Sequence, residues 1–291
     1  MNIQDYSMDR ELVRKELDAN SHDGSRLYQI LRQLPLDLVG DLLLNLGPDY
    51  EGPLRRHLPR MASDEIQRNW TGTSGYHLLQ QSCAFVRSIE NNYRNFSGRS
   101  LQDATILDYG CGWGRLMRLM YKYTDPSNLY GCDPWDRSIE ICRESGVAGH
   151  LAVSDYLPST LPFGDLKFDL IYAFSVFTHL SERAAATAMS ACRKAISSDG
   201  IMALTIRPPA YWHAHQDSQN VVDRHQMLRD HDTRGFAFTP HPRPAVDGDV
   251  TYGDTSMSLD YIERNWLGWS VLGVDWQLHD PYQTVVFLRP D

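Results

Sequence analysis

The stretch Ile106-Leu107-Asp108-Tyr109-Gly110-Cys111-Gly112-Trp113-Gly114-Arg115 decides the fold of this chain. A short apolar strand leads into three glycines at alternate positions, and a helical pattern follows at once. Glycine is needed where the backbone turns sharply, or where it must approach a ligand without a Cβ in the way. The N–H groups at the start of a helix can then face that ligand. The stretch therefore predicts a cradle for a nucleotide-type cofactor at the edge of a parallel sheet.

Short apolar runs alternate with helical patterns on both sides of this motif, which is typical of a parallel α/β sheet. Two late strands joined by a short loop suit an antiparallel hairpin better than a crossover. The predicted strands are 104–109, 128–132, 150–153, 168–174, 201–207, 269–274 and 283–288, and the predicted helices between them lie near 114–123, 136–145, 182–196 and 258–267.

The remaining sequence divides into a helical N-terminal region and a polar insertion. Residues 1–100 show helical spacing of apolar residues, most clearly over 74–96. The polar stretch 208–257 is too long for a simple connection, so we expect a lid-like insertion after the fifth strand. The predicted organisation is a cap or interaction region over 1–100 and a cofactor-binding domain over 101–291.

Two more acidic residues follow predicted strands, in the order that a nucleotide site requires. Asp133 ends the second strand about 20 residues after the glycine motif, where a carboxylate can accept hydrogen bonds from ribose hydroxyls. Asp155 follows the third strand. Each has a local alternative, because Asp133 could cap a helix and Asp155 could be a turn residue.

At this point the sequence resembles the class I S-adenosylmethionine (SAM)-dependent methyltransferases over roughly residues 100–291. The first motif of that family is matched by LDYGCGWGR, the second by GCDPWDRSIEIC and the third by SDYLPSTLPF. FDLIYAFSVFTHLSE resembles the central strand running into an active-site histidine, and YQTVVFLRP resembles the reversed last strand. The resemblance implies a Rossmann-like, seven-stranded, mostly parallel sheet with an antiparallel last strand.

The resemblance also implies site residues and S-adenosyl-L-methionine as the cofactor. Asp133 would bind the ribose, with Pro134 and Trp135 beside the adenine, and Asp155 would reach the adenine amino group. For Cys111 we expect the backbone N–H rather than the thiol to act. The full set of expected cofactor-binding residues is Asp108, Gly110, Cys111, Gly112, Gly114, Asp133, Pro134, Ser154, Asp155, Tyr156 and Phe174.

Aromatic residues near these motifs allow two interpretations. Trp113 and Trp135 could flank the cofactor, although burial in the core is the commoner fate of tryptophan. Trp70 and Tyr76 precede the first strand, in a segment that commonly folds over the methionine end of the cofactor in this family. Core packing is the alternative for both.

His179 is the predicted catalytic residue. It lies just past the fourth strand, and a histidine titrates near neutral pH, so it could take a proton from a hydroxyl or an amine during methyl transfer. The alternative is a histidine that bonds the backbone at the start of the next helix. His213 and His215 have a spacing that could bind a metal, but a polar loop over the substrate is the preferred interpretation, and no metal is predicted.

Composition limits the partners. With 28 basic and 37 acidic residues the net charge is −9, which disfavours nucleic acid as a partner. No run approaches the roughly 20 apolar residues of a membrane span, and the N-terminus lacks an apolar signal core. The five cysteines never form a CxxC pair, so neither disulfides nor a thiolate zinc site is expected, and a cytoplasmic protein is predicted.

The sequence therefore predicts a SAM-dependent methyltransferase, with O-methylation of a sugar or glycan hydroxyl as the leading function. A small natural-product acceptor and a non-catalytic SAM-binding scaffold stay open. The glycine spacing GxGxG and the terminal hairpin disfavour an NAD-dependent oxidoreductase. The N-terminal helices could serve a homo-oligomer or a partner in glycan assembly.

Overall fold

The fold is seen in a computed structural model that describes residues 3–46, 51–214, 223–277 and 280–291. A seven-stranded sheet forms its centre, and a small two-stranded sheet lies in the insertion. The strands of this part of the chain are β1 (Ile106–Tyr109), β2 (Leu129–Asp133), β3 (His150–Val153), β4 (Phe168–Ala173), β5 (Ile196–Ile206), β6 (Phe236–Pro240), β7 (Gly253–Met257), β8 (Trp269–Trp276) and β9 (Thr284–Pro290).

The strand order of the central sheet is β3-β2-β1-β4-β5-β9-β8. The pairs from β3 to β5 are parallel, whereas β9 runs antiparallel to both β5 and β8. The predicted mostly parallel sheet with a reversed last strand is confirmed. Because the chain order reverses between β1 and β4, a crevice opens beyond the carboxyl ends of these two strands, where ligands bind in folds of this type.

Helices cover both faces of the sheet. In the described residues they are α1 (Ile3–Ala19), α2 (Gly24–Gln33), α3 (Leu36–Asn45), α4 (Asp64–Thr71), α5 (Gly75–Ser97), α6 (Met117–Met120), α7 (Asp136–Glu144), α8 (Glu182–Ala195), α9 (Tyr211–Ala214), α10 (Arg224–Arg234) and α11 (Leu259–Asn265). None of them combines the length and the apolar character needed to span a bilayer.

Two boundaries differ from the prediction for local reasons. Helix α6 begins at Met117 rather than near residue 114, because Gly114 has a φ of +76°, outside the right-handed helical region. Strand β5 begins at Ile196 rather than at residue 201, and the register of its pairing with β4 shifts between Phe168 and Leu170. Ser181 caps the N-terminus of α8, since its Oγ accepts the Ala184 N–H at 3.2 Å.

The N-terminal helices share one hydrophobic core with the sheet. Buried Phe85 and Ile89 of α5 belong to the same apolar cluster as Ile106 of β1 and Ile201 of β5, and Leu31 of α2 extends this cluster outward. A second cluster on the opposite face joins α8 and α11 to the sheet. The first hundred residues thus bury one face of the sheet, while the predicted role as an interaction region stays a prediction.

The insertion after β5 is more ordered than the predicted polar loop. It contains α9, α10 and the antiparallel pair β6–β7. The buried side chain of Trp212 links α9 to β7, since its indole N–H donates to Ser256 Oγ at 2.7 Å. Strand β7 also lies beside the segment that follows β4, since the Gly253 N–H donates to the His179 carbonyl at 2.8 Å. These contacts fix the insertion at the carboxyl edge of the sheet.

Candidate functional site

A cavity of about 480 Å³ opens at the carboxyl ends of β1, β2 and β4. The glycine motif, the segment after β2, the segment after β4, helix α4 and the insertion each contribute to its wall. The lining residues are Asn69, Trp70, Thr71, Asp108, Gly110, Cys111, Gly112, Trp113, Arg115, Leu116, Asp133, Pro134, Trp135, Ser138, Tyr156, Phe174, Ser175, Val176, His179, Leu180, Arg243 and Tyr252.

The glycine motif forms a tight loop because its backbone turns back on the end of β2. Gly110 has a φ of +76°, and a Cβ built at this position would overlap the side chain of Val176. The N–H groups of Gly110 and Cys111 donate to the Cys132 carbonyl at 2.8 and 3.0 Å. The Cys111 N–H therefore already has a backbone partner, and its expected functional role stays a prediction.

Gly114 lines α7 rather than the cavity. A Cβ at this position would lie 2.9 Å from Val147 Cγ2 and 3.2 Å from Cys142 Sγ. This glycine thus permits close packing of the loop against α7 and the segment that follows it. The structure does not place Gly114 among the cavity-lining residues, so its role as a cofactor contact stays a prediction.

Asp133 binds the glycine loop and also faces the cavity. Its Oδ2 accepts the Gly112 N–H at 3.0 Å, and its Oδ1 accepts the Trp135 N–H at 2.9 Å. Burial raises the pKa of this carboxyl group, while the two backbone donors oppose the rise by stabilising the charged form. Asp133 therefore caps the local backbone and also lines the cavity.

Asp108 is the most deeply buried acid of the cavity wall, with 3% of its surface exposed. Burial raises its pKa to about 8, although the Arg115 guanidinium favours the charged form. Arg115 Nη1 donates to Gln81 Oε1 at 2.6 Å, and the guanidinium lies 4.7 Å from the centre of the Phe174 ring. This end of the cavity therefore offers a carboxyl group and a fixed cation close together.

We expect Asp108→Asn to change how stability depends on pH. The folded protein holds a proton on Asp108 that the unfolded chain, with a pKa near 3.9, releases. Its stabilising contribution is complete below about pH 4 and is lost as the pH rises through 8. Between pH 5 and pH 9 the Tm of the native protein without cofactor should therefore fall by several degrees more than that of the variant, as measured by calorimetry. Parallel Tm profiles of the two proteins would contradict the buried, protonated carboxyl group.

The remaining predicted contacts divide into two groups. Pro134, Tyr156 and Phe174 line the cavity, whereas Ser154 and Asp155 do not. The Ser154 N–H donates to the Asp133 carbonyl at 3.1 Å, which ends the parallel pairing of β3 with β2, and the next residue, Asp155, is exposed. The structure therefore places neither Asp155 nor the buried Ser154 in the cavity wall, and their cofactor contacts stay predictions.

The segment before the first strand contributes one of its two predicted aromatic contacts. Trp70 lines the cavity, and its ring lies 4.8 Å from the ring of Trp135 between centroids. Trp113, which is almost fully buried, also lines the wall. Tyr76 is not a lining residue, because its hydroxyl donates to Asp41 Oδ1 at 2.8 Å on α3.

His179 lines the cavity, but both of its ring nitrogens have partners. Nδ1 lies 2.7 Å from the Gly253 carbonyl, which only accepts, so Nδ1 carries the proton. Nε2 lies 3.1 Å from Arg207 Nη2 and therefore accepts. Burial and the Arg207 charge lower the pKa of His179 to about 3. The imidazole is held neutral with no free nitrogen, so the geometry does not support its predicted role as a general base.

No cluster of three or more metal-binding side chains occurs in the described ranges. His215, half of the pair considered for a metal, lies outside them. The expectation of no metal site stays a prediction.

Several lining residues carried no recognisable signal in the sequence. Arg243 and Tyr252 come from the insertion, where the guanidinium lies 4.1 Å from the centre of the Tyr252 ring. Ser175 has a φ of +59°, and its N–H donates to Thr205 Oγ1 at 2.8 Å. Ser175 is unusual because it is a non-glycine residue with a positive φ, which only the structure reveals.

The residues of the cavity fit a nucleoside cofactor that carries a positive charge. Gly110 and Asp133 line the same space as the exposed indole of Trp135. Asp108 and Arg115 supply a carboxyl group and a guanidinium at one end, which suits an amino acid group. The donor set therefore matches the cofactor that the sequence resemblance implies.

Comparisons with known proteins agree with this assignment. Residues 106–200 match a family model described as a methyltransferase domain. A SAM-dependent methyltransferase from Clostridium acetobutylicum is 12% identical, with 78% of this chain and 96% of that chain covered and a TM-score of 0.50. A protein from Pyrococcus horikoshii is 13% identical, with 72% and 90% covered and a TM-score of 0.50. The resemblance to class I methyltransferases, which use S-adenosyl-L-methionine, is confirmed at the level of domain and fold.

Proposed function

We propose that this chain, whose residues 106–200 match a methyltransferase domain, transfers a methyl group to a hydroxyl of a sugar or glycan. S-adenosyl-L-methionine, when bound, supplies the methyl group on an already activated sulfonium. The observation that supports the proposal most directly is Asp133, whose carboxylate is held by two backbone N–H groups at the wall of the cavity. Such a fixed carboxylate suits a pair of ribose hydroxyls.

Different residues of this chain would bind different parts of the cofactor. Asp133 would accept the ribose hydroxyls, and Trp135 and Tyr156 would pack against the adenine. Asp108 and Arg115 would meet the charged methionine end. Because the methyl group is already activated, the main task of the protein is to align it with the acceptor, an effect worth roughly 7–11 kcal/mol in well-oriented systems.

The insertion supports a polar, ring-shaped acceptor. It brings the Tyr252 ring and the Arg243 guanidinium to the cavity, where His179 stacks on Tyr252 at 4.9 Å between ring centres. Aromatic faces combined with charged donors suit the alternating apolar and hydroxyl surfaces of a sugar. For the surface of the N-terminal helices we propose self-association or contact with a glycan-assembly protein.

Two measurements test this function. Isothermal titration of the purified protein with SAM and with S-adenosylhomocysteine should show binding at micromolar cofactor. S-adenosylhomocysteine formation should then be followed with a panel of methyl glycosides, uronic acids, sugar nucleotides and phenolic natural products, and the methylated position identified by NMR. No binding of SAM at millimolar concentration by a folded sample would overturn the function. Methylation of the phenols alone would replace the sugar by a natural-product acceptor.

A further inference from the structure

Next to the cavity, a buried network of charges runs through the insertion. Arg207, at the end of β5, donates from Nη1 to Asp254 Oδ1 at 2.6 Å and to the Thr178 carbonyl at 2.8 Å. Asp254 is 5% exposed, and its Oδ2 lies 2.9 Å from His241 Nε2. Because a carboxylate accepts, Nε2 of His241 carries the proton.

The partners of His241 leave its other ring nitrogen available. Across the described chain no group is within hydrogen-bond reach of Nδ1, and about a quarter of the side chain is exposed. This arrangement is the reverse of His179, whose two nitrogens are both engaged. Nδ1 of His241 therefore carries a free lone pair that faces outward from the buried Asp254.

His241 lies directly behind the cavity wall. Its ring is 5.5 Å from the ring of Tyr252 and 6.4 Å from that of His179, measured between centroids, and both of these residues line the cavity. Its backbone N–H donates to the Tyr252 carbonyl at 3.1 Å, which ties the two residues together. A sugar bound against Tyr252 would therefore lie about one ring width from His241.

We propose that His241, oriented by Asp254, is the proton acceptor for the acceptor hydroxyl. This inference rests on the proposed transfer to a hydroxyl. The hydroxyl oxygen bonds to the methyl carbon as the carbon–sulfur bond breaks, and the electron pair of that bond stays on sulfur. The hydroxyl proton passes to His241 Nδ1, and the resulting imidazolium is stabilised by the Asp254 carboxylate until the proton leaves to solvent. Such dyads of a base and an orienting carboxylate activate hydroxyl groups in other enzymes.

The first test examines the native protein and needs no acceptor. In ¹⁵N-histidine NMR spectra at pH 8, His241 should show a protonated Nε2 and an unprotonated Nδ1, with its signals assigned by their loss in His241→Gln. The signals of His179, whose pKa burial lowers to about 3, should stay constant between pH 5 and 9. A protonated Nδ1 on neutral His241 would overturn this inference and leave the cofactor assignment untouched.

The second test is kinetic, with the best methyl glycoside or sugar nucleotide of the panel as acceptor. His241→Gln should lower kcat by about 100-fold to 10,000-fold and leave the Kd for SAM within about twofold. His225, an exposed histidine on α10, provides the matched control, and His225→Gln should retain kcat. A normal kcat in His241→Gln would exclude His241 as the base. Failure of the native protein to bind SAM would instead overturn the proposed function.

Discussion

Asp133→Ala should reduce the affinity for SAM by about 100-fold to 10,000-fold, the largest effect that we expect from one side chain of the cavity. A hydrogen bond to a charged group contributes about 1.5–3 kcal/mol, and Asp133 would accept one from each ribose hydroxyl. The substitution also removes the acceptor of the Gly112 and Trp135 N–H groups. The loop that holds the cofactor would thus lose its shape together with its ligand contact.

Isothermal titration with S-adenosylhomocysteine measures this loss, and a neighbouring acid provides the control. Asp136, in the first turn of α7, is exposed and accepts the N–H of the next residue, Arg137, at 2.8 Å. Asp136→Ala removes an equal charge at nearly the same place, so it should leave the Kd within about threefold. An affinity of folded Asp133→Ala within tenfold of the native value would remove Asp133 as the ribose-binding acid.

Local features of the sequence predicted most of this fold. The strand ending at Tyr109, the glycine loop and the second strand ending at Asp133 lie within one continuous stretch, so chain spacing alone fixes their order at the sheet edge. The terminal hairpin was predictable because the loop between its strands is too short for a crossover. These predictions depend only on contacts between elements that are neighbours in the sequence.

The residues that escaped prediction depend on contacts between distant parts of the chain. Tyr252 and Arg243 reach the cavity because β7 lies beside the segment after β4, a contact no periodicity announces. His179 has the expected position, yet its chemistry is set by Arg207, which lies 28 residues further along the chain. Asp155 shows the converse, since a motif position alone did not bring its side chain to the cavity.

Gly110→Ala should destabilise the protein by about 2–4 kcal/mol and weaken SAM binding, because two separate costs meet at this position. A residue with a Cβ pays roughly 1 kcal/mol or more to hold a φ of +76°. The new methyl group would also overlap Val176, and such overpacking costs about 1–3 kcal/mol. Equilibrium urea unfolding, together with titration of SAM, measures both effects.

A second glycine allows the cost of the backbone conformation to be measured apart from the cost of the overlap with Val176. Gly146 has the same φ of +76°, but a Cβ there would meet nothing within 4 Å, so Gly146→Ala should cost only the backbone part. In a double-mutant cycle, Val176→Ala should recover most of the remainder in Gly110→Ala, with a coupling energy of about 1–2 kcal/mol. Equal destabilisation by the two alanine substitutions, with no coupling to Val176, would mean that the segment after β4 yields to the loop. The fit between these two segments would then not be what shapes the cofactor cradle.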